Sequence, residues 1–158
     1  MAAMRVIDAF WLPVRRTDPR AYGLYRRHYS AEKNLRYRQY GNTNVAGPAE
    51  TMVLLTVCCR ALFVWIRNTI ERWDHQAGVN CAIFRNEGAG LSSALIEEAD
   101  RLAWQRWPGE RHWTYIDGAR THARRSKRAQ PGECFRRAGW TECGTSAEGL
   151  TILERLCA

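Results

Sequence analysis

The sequence predicts a mixed α/β (α+β) domain, one mostly antiparallel sheet flanked by helices. Three observations carry this expectation. Met52 to Val57 (MVLLTV) and Ala61 to Ile66 (ALFVWI) are β-rich runs a short turn apart, the pattern of an antiparallel hairpin. Val79 to Phe84 (VNCAIF) adds a strand, and Leu91, Leu95, Ala99, Leu102 and Ala103 then recur at a helical period. The 158 residues have the length of one domain, taken as 1–158.

In chain order, Val6 to Val14 (VIDAFWLPV) reads as a strand ending near Pro13. Asp18-Pro19 is a helix start, with Asp as N-cap and Pro at the first helical position. The helix is expected over 19–30, with Ala21, Leu24 and His28 on one face and Tyr22, Tyr25 and Tyr29 on another. Residues 31–50, with Gly41, Asn42, Gly47 and Pro48, read as a loop. After the hairpin and the third strand of the sheet, the periodic helix runs from Leu91 to about Trp107, where Pro108-Gly109 stops it. His112 to Asp117 reads as a strand, 118–131 as a basic loop, 132–138 as a short helix ending at Gly139, and Gly149 to Leu156 as the last strand. The expected order is β-α-β-β-β-α-β-α-β.

Composition narrows the function classes. The formal charge is +8, and all the cations except Lys33 and Lys127 are arginines, which suit bidentate contacts with phosphate. No apolar run approaches the ~20 residues of a membrane helix, and MAAMRVIDAF carries no signal-peptide pattern. The six cysteines form no CxxC pair, so reduced thiols in a cytoplasmic protein are expected.

The sharpest motif is Arg85-Asn86-Glu87-Gly88-Ala89-Gly90, between a strand and a long helix. Glycines let backbone approach a ligand, and the first amides of a helix are free donors at the positive end of its dipole, which suits a pyrophosphate. The same spacing also makes a tight turn. Ser92 and Ser93 open the helix, either as caps or as hydroxyl donors. His28 is either a satisfied structural histidine or a base or metal ligand. Tyr29 either packs or stacks on a flipped base. Asp117, before Gly118, either makes a turn, holds or deprotonates an amine, or joins His28 on a metal, iron included. Arg120, Arg124, Arg125, Lys127 and Arg128 crowd one loop, and Arg26, Arg27, Arg36 and Arg38 interleave with tyrosines. That pattern fits either a solvated face or nucleic acid.

Arg85-x-x-Gly88-x-Gly90 between strand and helix resembles the acyl-CoA loop of the GNAT acyltransferase superfamily. Phe135-x-x-x-Gly139-Trp140 before a final strand resembles a later segment of it. More narrowly, several segments together resemble the phage Mom-type DNA modification proteins. These are Arg27-His28-Tyr29-Ser30, Asn80 to Gly88, Leu91-Ser92-Ser93, Leu95-Ile96, Glu98-Ala99-Asp100, Thr114-Tyr115-Ile116-Asp117 and Pro131-Gly132-x-Cys134-Phe135-x-x-Ala138-Gly139-Trp140. Glu133 stands where that pattern has tyrosine. The resemblance implies a GNAT-like sheet, a carbamoylmethylation of adenine in DNA that blocks restriction, and an acyl-CoA-like donor along Arg85, Gly88, Ala89 and Gly90. It also implies DNA as partner, a host cytoplasm as location, and a reactive cluster of His28, Tyr29, Ser92, Ser93, Tyr115 and Asp117. A homodimer is a further expectation. Two other functions fit the same residues: a GNAT N-acetyltransferase acting on a protein or small amine, and a non-catalytic scaffold that holds DNA.

Overall fold

A computed structural model of the protein describes residues 11–31, 43–119 and 130–158. Within them the chain forms one seven-stranded, mostly antiparallel sheet and three helices. The strands are β1 (Trp11–Val14), β2 (Glu50–Thr56), β3 (Ala61–Arg67), β4 (Val79–Asn86), β5 (His112–Ile116), β6 (Thr141–Thr145) and β7 (Thr151–Arg155). The helices are α1 (Pro19–Tyr25), α2 (Ser92–Arg106) and α3 (Glu133–Arg137). Across the sheet the order is β1-β2-β3-β4-β5-β7-β6, and only the β4–β5 pair is parallel.

The sheet separates two apolar layers. On one face α2 and α3 cover Leu54, Phe63, Trp65, Cys81, Ile116 and Leu153. On the other, Ala21, Leu24 and Tyr25 of α1 pack on Val53, Leu55, Leu62, Val64 and Ile83. Neighbouring residues of β2 and β3 therefore serve opposite layers, which is why both strands read as unbroken apolar runs.

Two elements differ from the sequence reading, and a third lies mostly outside the described residues. Helix α1 stops at Tyr25, and the chain tightens through Arg27 N–H to Leu24 O (3.2 Å) and His28 N–H to Tyr25 O (2.9 Å), then makes a short 3₁₀ turn, Tyr29–Ala31. The His28 ring takes the Ser30 N–H (3.2 Å), so a side chain competes with helix continuation. Strand β6 was not expected. It pairs with β7 at the sheet edge and exposes nearly every residue, so it has no apolar alternation to read. Of the first expected strand, only Trp11–Val14 lies among the described residues.

Beneath α2 lies a polar knot. The fully buried Asp100 carboxylate accepts from His112 Nδ1 (2.7 Å), Trp140 Nε1 (3.0 Å) and Arg155 Nη1 (2.7 Å). The His112 ring stacks on Trp104 at 4.3 Å and lies 4.5 Å from Trp65, so aromatic faces enclose it. Three donors on one buried carboxylate satisfy it where water cannot.

Candidate functional site

The site begins where β4 and β5 part. Their parallel ladder holds two pairs, Val79↔His112 and Asn80↔Trp113, and one residue further on Thr114 Oγ1 donates to the Cys81 carbonyl (2.8 Å). The cause lies in β4. Against β3, Ile83 faces Val64 but Cys81 faces Trp65, so Ala82 is an extra residue and the strand bends at a bulge. The C-terminal half of β4 stays with β3 and leaves β5.

That half of β4 delivers the glycine loop. Asn86 organises it from within. Its Nδ2 donates to the Gly90 carbonyl (2.7 Å) and to Ser92 Oγ (2.9 Å), and its Oδ1 accepts the amides of Gly88 (3.1 Å) and Ala89 (2.9 Å). Gly88 has φ +97°, a conformation that side chains resist. Helix α2 follows with Leu91 as N-cap, which supplies no side-chain bond. The first helical bond runs from Leu95 N–H to the Leu91 carbonyl (3.1 Å), so the amides ahead of it have no acceptor inside the helix. Ser92 and Ser93 sit half-buried in that first turn. Ser92 answers Asn86 and neither serine caps the helix, so the capping expectation is replaced by an open N-terminus.

The end of α1 docks beside this loop. Arg27 grips Glu87 with two bonds (Nε–Oε2 2.8 Å, Nη2–Oε1 2.9 Å), and Arg85 holds the same carboxylate. These bonds, Arg27's first, outweigh a partial desolvation and hold the Glu87 carboxyl down at about 2. The Glu87 N–H is fixed separately, on the Arg60 carbonyl of the β2–β3 turn (2.7 Å).

His28 lies behind Arg27. Ser30 Oγ is 2.8 Å from Nδ1, the Phe84 carbonyl faces the ring, and Tyr29 stacks on it at 4.4 Å. Burial, then the charge of Arg85, pushes the His28 pKa down to about 4, so the ring is neutral at physiological pH. Asp117 follows the end of β5, across the parting, its Oδ1 accepting the Ala119 N–H (3.0 Å), and it is not among the partners of His28. No direct hydrogen bond or ion pair joins His28 to Asp117 among the described residues. The His28 ring is committed to Ser30 and faces the Phe84 carbonyl, and no group of three or more potential metal ligands occurs among the described residues. A metal at these two residues does not fit this arrangement.

Tyr115 is also directed elsewhere. Its hydroxyl donates to Asp74 Oδ2 (2.7 Å) in the β3–β4 loop, and burial together with that carboxylate pushes its pKa up to about 12. Arg26 is exposed at the end of α1. Arg36, Arg38, Arg120, Arg124, Arg125, Lys127 and Arg128 lie outside the described residues. All six cysteines are unpaired, as expected. No helix among the described residues is long and apolar enough to cross a membrane.

The structure thus joins Arg27, Arg85, Gly88, Ala89 and Ser92 around one loop, with Asp117 directly after β5, across the parting. Sequence reasoning passed over Asn86 and Glu87, although an Asn two residues before a glycine is an Asx-turn signal. No family model matches the chain, and no curated protein is significantly similar to it.

Proposed function

We propose that the chain is a GNAT-like, Mom-type enzyme that modifies the exocyclic amine of adenine in DNA, the resemblance supplying the reaction and the site supplying its place. One observation supports it most: β4 and β5 part on the same end of the sheet where the glycine loop and the uncapped α2 N-terminus lie. The opening suits an acyl-CoA-like donor. Its pyrophosphate meets the first-turn amides of α2 and the guanidiniums of Arg27 and Arg85, and its acyl arm lies between the parted strands. We assign Asp117 to the amine of a flipped adenine: it accepts the proton that the nitrogen loses as its bond to the acyl carbon forms and the donor's carbon–sulfur bond breaks, the electron pair leaving with the coenzyme A thiolate. Ser92 and Ser93 donate to the donor's oxygens. Tyr29, already stacked on His28, offers a ring face to the base. His28 is a positioning residue, tying the end of α1 to β4.

The test is to express the protein in cells, digest their DNA and weigh the nucleosides. A new adenosine mass, lost in Asp117→Asn, is the expected result. Unmodified DNA together with an acetylated polypeptide or small amine selects the N-acetyltransferase reading. DNA binding with no product selects the scaffold reading.

A further inference from the structure

We infer that Glu87 is an internal competitor for ligand phosphate: its carboxylate occupies the Arg27–Arg85 pair, and a phosphate-bearing ligand binds by displacing it. The inference deepens the acyl-donor reading above and takes the identity of the ligand from it.

Two guanidiniums, one from the end of α1 and one from β4, converge on a single carboxylate. The Arg27 contact is bidentate, the same fork by which arginine takes two oxygens of a phosphate. Among the described residues, two cations share this one carboxylate, and a pyrophosphate satisfies both better than Glu87 does. The neighbouring residue behaves alike: Asn86 Oδ1 sits on the amides of Gly88 and Ala89, donors that a glycine loop otherwise turns to a ligand. Consecutive side chains therefore fill both halves of the loop's donor set, the guanidiniums and the amides.

Displacement is open to this geometry. The Glu87 side chain is 28% exposed and that of Arg27 51%, so water reaches the pair and the carboxylate can swing outward. The loop does not depend on that carboxylate for its shape. Its backbone hangs on the Arg60 carbonyl through the Glu87 N–H and on the Asn86 carboxamide. Removing the charge of Glu87 thus frees two arginines without removing the scaffold that holds them.

The experiment titrates the full chain with inorganic pyrophosphate and, separately, with coenzyme A by calorimetry at fixed ionic strength. Glu87→Gln keeps the shape and removes the charge, and it should tighten pyrophosphate binding about tenfold. Arg27→Met should weaken it about tenfold, and adding Glu87→Gln to Arg27→Met should restore little of the loss, because the released partner is gone. Glu87→Ala repeats the test if the Gln variant does not fold, and circular dichroism checks each variant. Unchanged or weaker pyrophosphate binding in folded Glu87 variants overturns the inference and leaves the acyl-donor reading standing. Tighter pyrophosphate binding in a chain that ignores coenzyme A supports the inference and overturns that donor. A chain that binds neither probe overturns both.

Discussion

His28 shows how far a residue's surroundings decide its role. A histidine after an aromatic-rich helix has the proton affinity of a base, but burial and Arg85 move its pKa from the ordinary 6.5 to about 4. As pH falls, the unfolded chain protonates this ring before the folded chain does. The contribution of His28 to stability is therefore complete above about pH 6.5 and is lost progressively as pH falls to about 4, on the order of 3 kcal/mol in all. Urea midpoints at pH 7.5, 6 and 5 check this, because the carboxyls of Asp18 and Glu87, at about 2, lose their contribution only as pH falls through and below their ordinary 3.8 and 4.5. His28→Gln should flatten the curve between pH 7.5 and 5, and an unchanged slope assigns it to other groups. Asp100 is the complementary case, a buried carboxylate in the apolar arc of α2. Asp100→Ala leaves His112, Trp140 and Arg155 without their acceptor and should cost about 3–5 kcal/mol in urea unfolding. A loss under 1 kcal/mol contradicts this account of the knot. The sequence could not show the knot, because nothing local ties Asp100 to Arg155.

At the scale of elements, legibility followed the burial of faces. Strands β2, β3 and β4 and helix α2 announce themselves because each places apolar residues in a layer. Strand β6 places almost none and is invisible to pattern. The glycine loop was legible as a motif, whereas its internal occupation by Asn86 was not, since spacing says nothing of where a carboxamide points. Gly88 gives an element-scale test. A Cβ there meets open space, so substitution acts through φ alone. Gly88→Val should cost about 1–2 kcal/mol of stability, a fall in Tm of roughly 2–8 °C. It should weaken coenzyme A binding at least tenfold, because the distorted loop no longer sets Arg85 and the first-turn amides of α2 at their spacing. Wild-type affinity in that variant contradicts a phosphate role for the loop.

Across the whole molecule, the division of labour follows the sheet. One layer carries α2, α3 and the tryptophan-lined knot, and the other carries α1. The parting of β4 and β5 opens the end of the sheet where the glycine loop lies, between α1 and α2. The mixed, mostly antiparallel sheet was legible from strand and helix order. The parting was not, because it depends on one extra residue, Ala82, in a run that reads as regular. The net charge of +8 also belongs to this scale. Neutralising Arg124 and Arg125 should weaken DNA binding about equally on all sequences and flatten the logarithmic salt slope by up to about 2. An unchanged slope shows that these two arginines meet only solvent.

The central claim is that this opening hosts group transfer to adenine. Mass analysis of nucleosides from the DNA of cells expressing the protein addresses it most directly. The account predicts one new deoxyadenosine species, heavier than deoxyadenosine by the transferred group less the hydrogen it replaces, present with the wild-type chain and absent with Asp117→Asn. DNA whose nucleosides keep their ordinary masses, recovered from cells that hold folded wild-type protein, contradicts it.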